Sequence, residues 1–127
     1  MYIQSVTLDP TLGVPFYRQV ERQFAEQIRR GELAAGAALP SVRALAQELL
    51  VSVITVKQAY EALEAAGLVY SQQGRGTFVA PGGRAAAGEQ VRAAFTTSVR
   101  EALAEGRAAG LSLTELRILV HDCLEEP

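Results

Sequence analysis

The sequence has little of what secreted and membrane-spanning proteins need. Its 127 residues include one cysteine, one histidine and no tryptophan. The single Cys123 cannot form an internal disulfide, which is typical of proteins in a reducing cytoplasm. No apolar run is long enough to span a bilayer, and no secretion signal is recognisable. We therefore predict a cytoplasmic protein and no membrane partner.

Residue sets for catalysis and metal binding are also missing. His121, Asp122 and Cys123 are adjacent, but neighbours in a helix point in different directions and cannot converge on one ion. A lone histidine near a helix end more often interacts with the helix dipole. No nucleophile–base–acid set, zinc-ligand spacing or Walker-type phosphate loop occurs. We expect no enzyme activity, no metal and no cofactor.

Positive charge is scarcer than is usual in a nucleic-acid-binding protein. Twelve Lys and Arg stand against fourteen Asp and Glu, which gives a formal net charge of −2. The residues up to Ala80 carry equal numbers of basic and acidic side chains, so the acidic excess lies after Ala80. If the chain binds DNA, we expect modest affinity per subunit and reliance on a dimer.

Residues 39–60 predict two short helices joined by a tight turn, with Ser41 and Ser52 as their caps. The apolar residues of the first helix are Val42, Leu45, Ala46 and Leu49, and those of the second are Val56, Ala59, Tyr60 and Leu63. Such a pair is typical of a helix-turn-helix, whose second helix enters the major groove. Periodicity alone leaves an ordinary helical hairpin equally open.

A predicted β-hairpin directly follows the second helix. Gly67 is a helix stop, and two β-rich runs flank a Gly-Arg-Gly tip around Arg75. A hairpin after a recognition helix is a wing, and an arginine at its tip can reach phosphate or the minor groove. A plain surface turn is the alternative, but the preceding helix pair favours the wing.

These segments resemble the DNA-binding domain of the GntR family of bacterial transcription regulators. The similar segments keep the family's order and cover most of the first eighty residues: Pro15–Val20, Gly31–Leu33 with Gly36, Leu39–Ala46, Thr55–Leu63, Gly67–Val69 and Gly74–Val79. The short helical tail is similar to the YtrA-like branch. The resemblance implies a mainly α fold with a small β-hairpin, a winged helix-turn-helix followed by a two-helix dimerisation tail.

The resemblance also implies the function and the site. It implies a sequence-specific repressor that binds a palindromic operator in double-stranded DNA as a homodimer, with a transporter operon and its own promoter as targets. The implied DNA-binding residues are Arg43, Ser52, Val53, Thr55, Lys57, Gln73, Gly74 and Arg75. Arg43, Ser52 and Thr55 would bind phosphates. Lys57 would contact a guanine edge, and Gln73, Gly74 and Arg75 would form the wing.

The helix-turn-helix departs from the family pattern in two places. Leu50 stands in the turn where the family commonly has glycine. Either the backbone there has a positive φ and leucine is strained, or the turn has a different shape. Val53 and Ile54 occupy the first turn of the recognition helix, which is usually polar. Neither can donate a hydrogen bond to a base, but both can touch thymine methyl groups. Packing against the protein or a partner is an equally open interpretation.

The segments before the helix-turn-helix predict a strand, a helix and a loop. Residues 1–9 predict a small edge strand or arm, and a helix is expected from Pro15 to about Arg30. The apolar stripe of that helix is Tyr17, Val20, Phe24 and Ile28. The arginines off this stripe are expected on a solvated face: Arg22, Arg29 and Arg30. Residues 34–38 are predicted to form a loop that pivots at Gly36.

The segments after the hairpin predict a linker and two helices. Residues 80–88 are expected to form a hinge-like linker, followed by a helix from about Glu89 to about Ala108. Ser112 and Glu115 fit a capping box that starts the last helix. The apolar stripes of the two helices are Val91, Phe95, Val99 and Leu103, then Leu113, Leu116, Leu119, Val120 and Leu124.

Two helices on a glycine-rich linker cannot bury such stripes alone and need either the first domain or a second copy of the chain. We predict a homodimer through the C-terminal helices, because a two-fold dimer also matches a palindromic operator. We predict residues 1–80 as the DNA-binding domain and residues 81–127 as the linker and dimerisation hairpin. No dedicated effector pocket is evident. The main alternative function is a winged-helix protein-interaction module without specific DNA binding, which the acidic balance and the apolar Val53–Ile54 pair would suit.

Overall fold

The computed structural model describes residues 6–126 and contains two compact units, Met1–Gln90 and Val91–Pro127. The helices are α1 (Phe16–Arg29), α2 (Val42–Leu49), α3 (Val53–Ala65), α4 (Gly83–Ala108) and α5 (Leu113–Glu125), and the strands are β1 (Val69–Gln72) and β2 (Gly76–Val79). This arrangement confirms the predicted mainly α fold with a small hairpin. Within residues 6–126, no helix combines the length and the hydropathy that a membrane crossing requires.

The core of the first unit forms where α1 crosses α3. The predicted stripes are buried except for Tyr17, which is half-buried: Val20, Phe24 and Ile28 of α1, and Val56, Ala59, Tyr60 and Leu63 of α3. The rings of Phe24 and Tyr60 meet edge to face with centroids 5.9 Å apart. Burial raises the pKa of the Tyr60 phenol, whose hydroxyl donates to the Pro40 carbonyl at 2.7 Å. This bond fixes the entry into α2 against α3.

The predicted serine caps are present on both helices of the helix-turn-helix. Ser41 Oγ accepts a hydrogen bond from the Ala44 N–H at 3.1 Å, and Ser52 Oγ accepts one from the Thr55 N–H at 3.1 Å. Each cap satisfies one of the backbone donors that a helix start leaves without a partner. The starts of α2 and α3 are therefore set by local chemistry.

Residues 6–9 form an arm rather than a strand, and a short 3₁₀ helix (Pro10–Leu12) follows them. Residues 6–9 have no strand structure, and residues 1–5 of the predicted strand lie outside the described residues. The side-chain amide of Gln23 both donates to and accepts from the backbone of Thr7, at 2.6 and 2.9 Å. Gln19 does the same with Asp9, at 2.9 and 2.8 Å. Two glutamines one helical turn apart thus provide the pairing that a neighbouring strand would.

The loop before α2 extends the hairpin sheet. β1 and β2 pair antiparallel, with Val69 opposite Val79. The predicted loop then adds three backbone hydrogen bonds to β2, donated from Gly36 to Val79, from Val79 to Ala37 and from Leu39 to Thr77, at 2.8 to 2.9 Å. Gly36 is indeed the pivot, with φ of 84°. β2 is therefore hydrogen-bonded along both of its edges, to β1 on one side and to the loop on the other.

Leu50 adopts the left-handed conformation, which was one of the two alternatives for the turn. Its φ is 58° and ψ is 42°, and it is the one non-glycine residue with positive φ within residues 6–126. Its side chain is 91% exposed and contributes no core packing. For an L-residue with a Cβ this conformation costs about 1–2 kcal/mol.

We predict that Leu50→Gly raises the free energy of unfolding by about 0.5–1 kcal/mol. Relief of the left-handed strain stabilises the folded state by about 1–2 kcal/mol. The greater conformational entropy of glycine in the unfolded chain lowers the free energy of unfolding by only about 0.4–1 kcal/mol. Urea unfolding measures the change. Leu12→Gly is the matched control, since Leu12 is also exposed but does not have positive φ. A loss of stability in Leu50→Gly equal to that in Leu12→Gly would contradict the strain.

Helix α4 begins earlier than the sequence pattern predicts. The linker expected over residues 80–88 is helical from Gly83 onward, so that prediction is wrong over most of its length. Gly83 and Ala87 are buried in the first unit. The Arg84 guanidinium donates through Nε to the carbonyl of Arg29 at 3.0 Å, at the C-terminal end of α1. Small side chains and this capping arginine dock the start of α4, whereas their composition suggested a flexible hinge.

We predict opposite effects from the same substitution at two glycines of α4. A Cβ on Gly83 would lie 2.5 Å from the Leu68 carbonyl oxygen, so Gly83→Ala should destabilise the protein by about 1–3 kcal/mol. A Cβ on Gly88 would meet nothing within 4 Å, so Gly88→Ala should stabilise it by up to about 1 kcal/mol. Thermal unfolding of both variants tests this. Equal effects would mean that the start of α4 is not docked.

The second unit pairs the end of α4 with α5. The predicted capping box is present, with the Ser112 hydroxyl accepting from the Glu115 N–H at 3.1 Å and the Glu115 carboxylate accepting from the Ser112 N–H at 2.9 Å. The hydrogen bond from Ser112 lowers the pKa of Glu115. Leu116 is buried against Gly106, where a Cβ would lie 2.8 Å from the leucine Cδ2. Glycine at 106 therefore lets the two helices approach closely.

Candidate nucleic-acid interface

Helix α3 presents an exposed first turn above its buried face. Ser52 is exposed and Thr55 is half-buried, and their hydroxyl oxygens lie 2.9 Å apart. Lys57 is exposed one turn further along the helix. The positive end of the helix dipole lies at this turn, where anions are favoured. The α3 predictions at Ser52, Thr55 and Lys57 therefore fall on one accessible end of the helix.

The three basic residues predicted to contact DNA are exposed and free of ion pairs. Arg43 of α2, Lys57 of α3 and Arg75 of the hairpin have no carboxylate within 4.0 Å in the described part of the chain. By contrast, Arg29 at the end of α1 and the following Arg30 are both paired with Glu26. Freedom from ion pairs is not confined to the predicted interface, since Arg22 of α1 is also unpaired among the described residues. It leaves Arg43, Lys57 and Arg75 available to an anion.

An aromatic pair stabilises the hairpin below its exposed tip. Tyr70 and Phe78 are directly opposed across the strands, with ring centroids 5.6 Å apart. The predicted wing residues, Gln73, Gly74 and Arg75, are all exposed at the turn. Gly74 has φ of 78°, a conformation that L side chains rarely adopt. The tip can therefore bring its backbone and Arg75 close to a neighbouring surface.

A glutamate not predicted from the sequence anchors the hairpin to α3. The Glu64 carboxylate accepts hydrogen bonds from the hydroxyl and the N–H of Ser71, at 3.3 and 3.4 Å. Glu64 and Glu61 also line a cleft of about 390 Å³ together with Lys57. Lys57 thus shares this cleft with two carboxylates, although neither forms an ion pair with it. The only sequence signal was the position of Glu64 at the end of the recognition helix.

Val53 and Ile54 do not pack into the core. Val53 is 46% exposed and Ile54 is 68% exposed. Of the alternatives that the sequence left open, burial against the described part of their own chain is thereby excluded. Contact with thymine methyl groups or with a partner remains.

A profile of bacterial regulatory proteins of the gntR family matches residues 16–79. These residues span α1, the helix-turn-helix and the hairpin. The chain belongs to the GntR family. It is a DNA-binding transcription regulator with a winged helix-turn-helix, as its sequence pattern indicated.

Two GntR-family relatives extend the similarity beyond the matched domain. The chain is 28% identical to the transcriptional repressor YtrA of Bacillus subtilis, over 95% of this chain and 90% of YtrA. It is 33% identical to the regulator Rv1152 of Mycobacterium tuberculosis, over 90% of each chain. The tail after the hairpin is therefore part of the similarity, which confirms the YtrA-like resemblance.

Solved structures show the same GntR fold. A transcriptional regulator from Oenococcus oeni superposes with a TM-score of 0.74 at 25% identity, covering 92% of this chain and 97% of that one. YtrA of Sulfolobus acidocaldarius superposes with a TM-score of 0.65 at 33% identity, covering 78% and 97%. The DNA-binding domain of AraR, solved in complex with its operator ORX1, gives 0.55 at 32% identity, covering 63% and 100%.

Proposed function

We propose that this GntR-family protein is a repressor that binds a palindromic operator as a homodimer and blocks polymerase. Each α3 would enter the major groove of one half-site, with the hairpin tip on the flanking backbone. The observation that carries the proposal is the accessible end of α3, bordered by the unpaired Arg43, Lys57 and Arg75. The AraR domain, which has the same fold, was solved with operator DNA.

The proposed roles follow from where each side chain lies. Arg43 at the start of α2 and the hydroxyls of Ser52 and Thr55 are suited to phosphate oxygens, which fix the position of the domain without reading sequence. Lys57 lies far enough along α3 to reach a guanine edge. Arg75 at the tip is suited to phosphate or to a narrow minor groove.

The second unit is proposed to form the dimer. Its helices expose most of their predicted apolar stripes, among them Val91, Phe95, Leu113, Leu119 and Leu124. α5 and the end of α4 also border an open apolar groove of about 520 Å³, lined by Leu103, Leu113, Leu116, Val120 and Leu124 among others. A second copy would cover these faces and set two recognition helices at the spacing of a two-fold operator.

We propose a separate function for each of the two predicted domains. DNA binding would reside in the predicted domain of residues 1–80 and dimerisation in the helices of residues 81–127, with the docked start of α4 belonging structurally to the first unit. We place the protein in the cytoplasm, where it would meet its operator. By similarity to the YtrA-like branch, we propose a transporter operon and its own promoter as targets.

Selection from a random duplex library with purified full-length protein tests this function. The expected result is an enriched inverted repeat with half-sites about 10 base pairs apart or a multiple of that spacing. The control is a parallel selection with the variant Lys57→Glu. No enrichment at low salt by a folded protein would contradict the proposal and favour a protein-interaction module, for which the exposed Val53–Ile54 pair would be the contact surface.

A further inference from the structure

The first turn of α3 carries an exposed apolar pair at the position that meets base edges. Val53 and Ile54 are the first two residues of the helix, directly after its Ser52 cap. They are 46% and 68% exposed, whereas the residues of the same helix that pack on α1 are fully buried. Transfer of an exposed isoleucine from water to an apolar surface is favourable in free energy, whereas a polar residue would gain little. An apolar partner surface would therefore stabilise the bound state through this pair.

The major groove offers one apolar group at base level. Thymine carries a C5-methyl in this groove, and the other three bases present only hydrogen-bonding groups and ring edges. Valine and isoleucine have no donor or acceptor, so they cannot distinguish bases by hydrogen bonds. They can distinguish thymine, because only its methyl group is desolvated favourably against them.

Charge favours DNA over a protein surface as the occupant of this turn. Arg43, Lys57 and Arg75 are exposed on the elements around it and have no carboxylate partner within the described residues. The N-terminal end of α3 adds the positive pole of the helix dipole. A polyanion that also presents methyl groups matches both the charged surroundings and the apolar centre.

We propose that Val53 and Ile54 determine operator specificity by contacting thymine methyl groups. The inference rests on the proposed function, and it names the base that this chain reads with these two residues. Each half-site of the operator therefore contains at least one thymine whose methyl group lies against the first turn of α3.

Replacement of thymine by deoxyuridine in the selected operator tests the proposal directly. Uracil pairs like thymine and lacks only the methyl group. Loss of one contacted methyl should weaken binding about fourfold in each half-site, the equivalent of ~0.8 kcal/mol per buried methyl, and so about 15-fold for the full palindrome. Fluorescence anisotropy with the two duplexes measures the ratio of the dissociation constants.

The double variant Val53→Ser with Ile54→Ser assigns the effect to these residues. Serine removes every methyl group from both side chains, and both positions are exposed, so the fold should be retained. The ratio of the uracil to the thymine dissociation constant should fall from about 15 to within about twofold of one. Leu12→Ser, at an exposed apolar residue outside α3, is the matched control and should leave the ratio unchanged.

The outcomes separate this inference from the function on which it rests. If the wild type binds no thymine duplex, the proposed function fails. If it binds thymine and uracil duplexes equally, the function stands and the methyl contact is overturned. If the wild-type ratio persists in the double variant, another residue reads the methyl group, and the assignment to Val53 and Ile54 is wrong.

Discussion

Val120→Glu should convert the protein to a monomer and weaken operator binding by about 100-fold or more. Val120 is 42% exposed in the free chain and lines the apolar groove of the second unit. A carboxylate there would lose its hydration in the proposed dimer, at a cost that Arg107 and Arg117 of the same groove offset only in part, whereas the monomer keeps the carboxylate in water. In a dimer, binding of one half-site holds the second DNA-binding domain at a high effective concentration near the other half-site, which raises the affinity by about 10²–10⁴-fold. A monomer loses this gain. Sedimentation gives the oligomeric state, and anisotropy gives the affinity.

Ile118→Glu is the matched control for this prediction. Ile118 is 55% exposed on the same helix but does not line the groove. Two residues along a helix correspond to nearly opposite faces, so the charge should remain in water and the dimer should persist. Dissociation of both variants to the same extent would mean that the interface is not the groove. A Val120→Glu protein that stays dimeric would remove α5 from dimerisation.

Lys57→Glu should abolish specific operator binding at physiological salt, with a loss of about 100-fold or more for the dimer. Loss of a base contact costs about 1–3 kcal/mol per half-site, and the dimer has two. The new carboxylate would also stand beside Glu61 and Glu64 in the same cleft, facing DNA phosphates. Lys57 is exposed, so the circular dichroism spectrum should not change.

Arg22→Glu is the charge-matched control. Arg22 is exposed on α1, and the same change in net charge should alter affinity by less than about threefold, since a surface charge away from the interface is largely screened. Equal losses in both variants would indicate general electrostatics rather than a contact by α3. Unchanged binding in Lys57→Glu would remove Lys57 from the interface.

Local chemistry made most of the DNA-binding unit predictable from its sequence. The serine caps at Ser41 and Ser52 and the apolar stripes of α1 and α3 all depend on residues within a few positions of each other. The helix-turn-helix and the hairpin followed from such short-range patterns. The strain at Leu50 was one of two alternatives that the sequence left open, and the positive φ of the structure decides between them.

The features that escaped prediction depend on contacts between distant segments. The early start of α4 rests on the fit of Gly83 against Leu68 and on Arg84 reaching the end of α1, and neither contact leaves a periodic signal. The arm of residues 6–9 depends on glutamine side chains of α1 rather than on its own β propensity. The pairing of the loop with β2 likewise requires the folded hairpin.

The candidate site also contains features that the sequence motif predicts and features that only the folded structure shows. Arg43, Lys57 and Arg75 could be named from the motif, and the structure shows them exposed and unpaired among the described residues. The anchoring of the hairpin by Glu64 was not foreseen, because an acidic residue in a DNA-binding region suggests no structural role until Ser71 is placed beside it. The DNA contacts of all eight predicted residues stay predictions.

Hydroxyl-radical footprinting of the full-length protein on the selected operator tests the central claim most directly. A dimer with one α3 in each of two major grooves should protect two equal blocks on one face of the duplex, placed symmetrically and separated by about 10 base pairs or a multiple of that. A single protected block, or uniform weak protection that vanishes with added salt, would contradict a two-fold, sequence-reading regulator.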